Sequence, residues 1–254
     1  GRQADDAVVE KQQQVAEAKQ LGGQLIQYVR ISDNKWAFEK APGYIYFLIP
    51  FYVARVPQLA NIVLATGFAI VIYLLLKQLK DEKTACIGVL LALFTPVSLA
   101  MLQREYMDGF ASAAFLGIGG GLYAYYNLRL KSIQPRTAVA VLFLAGFCLA
   151  GAVAVRYTDA TVVAVIGLHF IITRVLRFKH GNWQTFFMEI AALVGGAALP
   201  VALLLWYHNA VFGSPVAYGY EYTKLNIKFA YDYLGDPRAW QIITTNLKKM
   251  WKPL

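Results

Sequence analysis

Gln103-Arg104-Glu105-Tyr106-Met107-Asp108 interrupts two apolar runs, 86–102 and 109–126. Elsewhere in the 254-residue chain the charges are pushed toward the ends of such runs. A carboxylate on the first turn of a membrane helix is costly to bury and needs a reason, either a simple N-cap or a place in a site. The composition makes the membrane reading general: 58% of residues are hydrophobic, only 15% are charged, and the mean hydropathy is +0.45. Soluble domains carry about 25% charged residues. The expected fold class is therefore all-α, a polytopic bundle of about six spanning helices with a juxtamembrane helix and a re-entrant segment.

Taken in order, residues 4–21 read as a polar helix with Asp5 and Asp6 in its first turn, where carboxylates suit the helix dipole. An irregular loop is expected over 23–40. The apolar stretch 44–53 is too short to span and is stopped by Pro50, Arg55 and Pro57, so it reads as re-entrant or interfacial. Spans are expected at about 58–76, 85–102, 109–126, 137–155, 160–172 and 183–206. From Tyr207 onward the chain reads as an extramembrane loop. It is treated as one domain, 1–254, incomplete at both ends, with 1–57 as the first outer loop, 58–206 as the spans and 207–254 as a further outer loop. The start at Gly1 lacks the charged and apolar regions of a signal peptide.

The net charge of +9 belongs to short loops rather than to a nucleic-acid surface. Three loops, 77–83, 128–136 and 174–179, are basic, and they alternate with two of balanced charge, 103–107 and 156–159. Basic loops stay on the cytoplasmic side. An integral, multi-pass membrane protein follows, in a cell or inner membrane, with Asp5, Lys40, Asp108, Arg156 and Asp159 on the non-cytoplasmic face. Cys86 and Cys148 lie within apolar runs and neither a disulfide framework nor a metal site is indicated; a divalent ion is compatible with the reading, but no ligand cluster calls for one.

A carboxylate at such an interface serves as general base toward an acceptor hydroxyl or amine. Lys40, Arg156 and Arg104 suit the opposite partner, a departing lipid phosphate that develops negative charge. Blander roles stand beside these. Asp5 and Asp6 also fit as helix-terminal charges, Lys40 as a snorkelling lysine, Arg156 with Asp159 as a solvated local pair, and Arg104 with Glu105 as an exposed pair. His169, inside the fifth span, fits a structural hydrogen bond better than a metal, and His208 is a weak candidate for either.

Five segments resemble motifs of the GT-C membrane glycosyltransferases, the group that includes protein O-mannosyltransferases and the aminoarabinose transferase of lipid A. They are Ala4-Asp5-Asp6-Ala7 with the helix after it; Lys40-Ala41-Pro42-Gly43-Tyr44 with Pro50-Phe51-Tyr52; Thr95-Pro96 with Arg104, Met107 and Asp108; Ala154-Val155-Arg156-Tyr157-Thr158; and Asn209-Ala210-Val211-Phe212-Gly213-Ser214-Pro215 with Tyr218-Gly219-Tyr220. Ala41 stands where the family often has proline, and the acidic pair is Asp-Asp rather than Asp-Glu. The resemblance implies a glycosyltransferase, inverting, that moves a sugar from a dolichyl- or undecaprenyl-phosphate donor to a lipid, glycan or protein acceptor. It implies Asp5 as catalytic carboxylate with Asp6 beside it, Asp108 as the second acidic residue, and Lys40 and Arg156 as phosphate contacts. A lipid-linked sugar transporter and a non-catalytic membrane subunit of a larger complex remain the rival expectations.

Overall fold

In a computed structural model the described residues are 28–32, 35–38, 41–95, 108–129, 132–177 and 183–217. The chain divides into two units, one of residues 1–39 with 218–254 and one of residues 40–217. In the first, β1 (Tyr28–Ser32) pairs antiparallel with β2 (Lys35–Phe38), with Tyr28 opposite Phe38 and Arg30 opposite Trp36. Within the stretch 23–40, expected as an irregular loop, residues 28–32 and 35–38 are thus paired strands, and the rest lies outside the described residues. The alternation of β-branched and aromatic residues on both sides of Asp33-Asn34 is the signal for the pairing.

The second unit is helical. Its elements are α1 (Gly43–Val53), α2 (Leu59–Leu79), α3 (Glu82–Leu93), α4 (Asp108–Arg129), α5 (Pro135–Val155), a short 3-10 turn (Tyr157–Asp159), α6 (Ala160–Arg177) and α7 (Trp183–Phe212). Among the described residues four stretches are long and apolar enough to cross a membrane: Leu59–Leu79, Pro135–Val155, Tyr157–Leu176 and Trp183–Phe212. Their outward faces carry large apolar side chains, and Ile62, Val63, Val165, Leu168, Leu176 and Val194 are half or more exposed. Such faces suit lipid rather than water. The expected second span, 85–102, is described only as the 12-residue α3, because 96–107 lie outside the described residues. The expected third span is the 22-residue α4, whose glycines and tyrosines leave it less apolar than the four. It tolerates this because Phe110, Ala111, Ser112, Ala114, Phe115, Tyr123 and Tyr126 are buried against protein.

Helix directions follow from the contacts. Gly67 of α2 faces Ile118, Gly121 of α4 faces Val71 and Leu75, and Arg129 Nε donates to Gln78 Oε1 at 2.9 Å, so α2 and α4 run parallel. Helix α5 runs opposite, with Gly119 against Leu149 and Gly151 against Phe115. It is the central element, packing on α4 and α7 and touching α1, α6 and the 3-10 turn. The α5–α7 approach is backbone to backbone: a Cβ on Gly146 would enter the Leu193 carbonyl, and one on Gly196 would enter the Phe143 carbonyl. Small residues at both crossings permit this, as between membrane helices generally. One end of the bundle gathers Lys77, Lys80, Lys83, Arg129 and Arg136; the other gathers the starts of α1 and α4 and the ends of α5 and α7.

The loop between α1 and α2 is tight. Val56 N donates to Phe51 O at 2.8 Å and Arg55 N to Tyr52 O at 2.9 Å, with Arg55 at φ 61°. This pair of bonds is a Schellman cap, which glycine normally fills. Arg55→Gly should therefore raise stability by up to about 1 kcal/mol in detergent unfolding, since a left-handed backbone penalises a side chain.

Helix α6 is the least enclosed span, and polar contacts attach it. Tyr123 Oη and His169 Nδ1 lie 2.7 Å apart, the structural bond expected for that histidine. Arg174, expected in a loop after residue 172, sits inside α6 and turns inward. Its Nε lies 3.0 Å from Glu189 Oε2, and its guanidinium stacks 4.8 Å from the Tyr126 ring centre. The Tyr126 hydroxyl donates to Glu189 Oε1. Removing one charge strands the other, whereas removing both is tolerated. Glu189→Ala should cost about 3–5 kcal/mol. Adding Arg174→Met to it should restore most of the loss in the same unfolding measurement.

Candidate functional site

The non-basic end of the helical unit is built from α4 upward. Asp108 is the first residue of α4 and is partly buried. A carboxylate there is favoured by the helix dipole. Ser112 lies one turn further along the same face and is buried, and its hydroxyl donates to Asp159 Oδ2. Asp108 thus sits about 6 Å along the axis from the Ser112–Asp159 bond, on the side of the bundle end.

Asp159 closes the 3-10 turn that follows α5. Its N–H donates to the Arg156 carbonyl at 3.0 Å, while Arg156 N–H caps α5 on Ala152 O at 2.8 Å. Arg156 has an extended backbone and an exposed side chain. The local Arg156–Asp159 pair does not form: the carboxylate turns inward to Ser112 and leaves the guanidinium outward. Tyr157, between them, reaches the opposite way. Its hydroxyl lies 2.8 Å from His208 Nε2 on α7, and His208 Nδ1 lies 3.1 Å from the Pro215 carbonyl. A carbonyl only accepts, so Nδ1 bears a proton; in the neutral imidazole Nε2 then accepts from Tyr157.

The Asn209–Pro215 motif supplies that carbonyl. Helix α7 does not stop at residue 206, as expected, but continues to Phe212. Gly213 then takes φ +78°, a conformation that favours glycine, and the chain turns back over His208. His208 is 5% exposed and is ringed by Tyr157, Tyr207 and Phe212.

The start of α1 completes this end. Ala41 and Tyr44 are buried, and a Cβ on Gly43 would clash with the Ala154 carbonyl, so Ala41-Pro42-Gly43 lies against the terminus of α5 that bears Arg156. Tyr44 Oη donates to Asn61 Oδ1 at 2.7 Å, and Tyr46 meets Tyr207 edge-on at 6.4 Å. Two stretches distant in sequence, Ala41–Tyr44 and Ala154–Thr158, are thereby neighbours. Next to Gly43 and Ala154 opens an apolar cleft of about 230 Å³, which runs between Tyr46, Phe147, Leu199 and Leu203.

Of the expected site residues, Asp108 and Arg156 are at this end of the bundle. Asp5, Asp6, Lys40 and Arg104 lie outside the described residues. Ser112, which was not singled out, joins the site; Tyr157, quoted only within the 154–158 motif, and Asp159, expected beside Arg156, join it through bonds to α7 and α4, and His208 takes a structural place. Ser112 was signalled only by its spacing of four from Asp108. No group of three or more His, Cys, Asp or Glu residues gathers among the described residues. No family model matches the chain, and neither the curated proteins nor the solved structures compared with it give a match.

Ser112→Ala leaves the Asp159 carboxylate without its hydroxyl donor. A loss of about 1–3 kcal/mol is expected by thermal unfolding. No loss would show that Asp159 is held by other groups.

Proposed function

We propose that this chain is the membrane part of a GT-C-type glycosyltransferase, a six-span bundle that transfers a sugar from a polyprenyl-phosphate donor to an acceptor on the non-cytoplasmic face. One observation carries the reading. A polar bundle end with Asp108, Asp159 and Arg156 adjoins an apolar cleft, in a chain whose helices are apolar enough to cross a membrane. That pairing of a charged mouth with an oily slot suits a ligand that is half phosphate and half hydrocarbon. The order of the sequence motifs and the alternation of basic loops add to it.

In this reading the acceptor hydroxyl or amine attacks the anomeric carbon as the bond from that carbon to the phosphate oxygen breaks, with inversion. A carboxylate, Asp5 or Asp108, takes the acceptor proton. Asp6 stands beside Asp5. The electron pair leaves on the phosphate, where Arg156, with Lys40 and Arg104, offsets its charge. The acceptor is a lipid, glycan or protein.

A second reading, a transporter of lipid-linked sugars, is favoured by the Tyr123–His169 and Tyr126–Glu189–Arg174 contacts, which place polar groups inside the bundle away from the site. The test is sugar transfer from radiolabelled polyprenyl-phosphate donors in membranes carrying the full-length protein. Asp108→Asn and Arg156→Ala should each lower transfer about 100-fold or more while inserting normally. Translocation of donor without transfer would select the transporter instead.

A further inference from the structure

The 3-10 turn Tyr157–Asp159 is three residues long, yet its first and last side chains bond to two different helices. Asp159 takes the Ser112 hydroxyl on α4, and Tyr157 gives its hydroxyl to His208 on α7. Arg156, immediately before the turn, has no bond of this kind among the described residues: its backbone closes the α5 cap and its side chain is exposed. A long exposed arginine finds a phosphate only if its backbone is held, since freedom at the Cα multiplies the arrangements that binding must remove. The Asp159 anchor holds the far side of the turn. The Tyr157 anchor adjoins Arg156 and holds the near side.

We infer that Tyr157 and His208 are positioning residues for Arg156. In this arrangement the Asn209–Pro215 segment serves to present a carbonyl to His208 Nδ1, which aims Nε2 at the Tyr157 hydroxyl. The bond matters because its histidine side is buried. His208 is 5% exposed and Tyr157 is half-buried, so an imidazole that loses the tyrosine hydroxyl is left with its Nε2 in a largely enclosed place. The segment also has no need to touch the donor itself. Gly213 ends α7, the chain reverses within two residues, and Pro215 returns to the imidazole. The inference rests on the glycosyltransferase reading, since it assigns Arg156 to the donor phosphate.

The experiment is a double-mutant cycle on donor kinetics in the full-length protein. Tyr157→Phe removes one oxygen and should raise the donor KM about tenfold, with kcat changed less than about threefold. His208→Asn, which keeps a donor for Pro215 but withdraws from Tyr157, should match it. His208→Gln, whose amide reaches toward the Nε2 position, should recover most of the loss. In an Arg156→Ala background, Tyr157→Phe should have no further effect on KM. A Tyr157→Phe effect of equal size in both backgrounds would overturn the inference, because the tyrosine would then act on stability alone. So would a wild-type KM in Tyr157→Phe. Transfer by the wild type with either of these results leaves the enzyme reading intact and removes only the positioning role. No transfer by the wild type from any polyprenyl-phosphate donor overturns both.

Discussion

Helices in hydrocarbon gain little by burying apolar side chains against one another, because lipid tails are as apolar as leucine. What holds this unit together is therefore close backbone approach and internal polar bonding. The Gly146–Leu193 and Gly196–Phe143 crossings bring α5 and α7 into direct contact, and α4 packs on α5 through Gly119 and Gly151. With α5 enclosed on several sides, its last residue, Val155, becomes a fixed point. The start of α1, the 3-10 turn and Arg156 all take their places from it.

The two ends of the unit use charge differently. At the basic end Arg174 and Glu189 are drawn inside and neutralise each other, with Tyr126 completing the carboxylate's bonds. That arrangement fastens a loosely enclosed helix. At the opposite end Asp159 also turns inward, but Arg156 stays outward and Asp108 stands partly open. A rim where Arg156 is exposed and Asp108 is only partly buried, beside an apolar cleft, is the feature that separates a candidate site from a fastening.

Much of the architecture was legible in the chain. Apolar run length gave α1, α2, α4 and α5 to within a few residues, and the basic loops told which helix ends lie together. The errors have physical causes. Arg174 looked like a loop residue because arginine in an apolar run usually marks its end; here Glu189, fifteen residues on, removes the need. Helix α7 runs past Trp206 to Phe212 although aromatic and polar residues follow, and the imidazole of His208 there finds partners in Tyr157 and Pro215. The hairpin was missed although its alternation was visible. At the candidate site, Asp108 and Arg156 were readable from position alone. Ser112–Asp159 and Tyr157–His208 were not, since their partners are 47 and 51 residues apart and no local pattern links them.

Helix α7 has 30 residues. At about 1.5 Å per residue it is about 45 Å long, half as long again as the oily layer of a bilayer. That surplus is taken up by tilt, by a bend at Pro200 or by turns among the headgroups, and the last turn of the helix carries His208 beneath the cap that ends in Pro215. In the proposed reading, a polyprenyl-phosphate donor at that rim would keep its phosphate near the depth where lipid phosphates already reside. Only its hydrocarbon chain would enter the interior, so recognition would proceed without dragging a hydrated ion into oil.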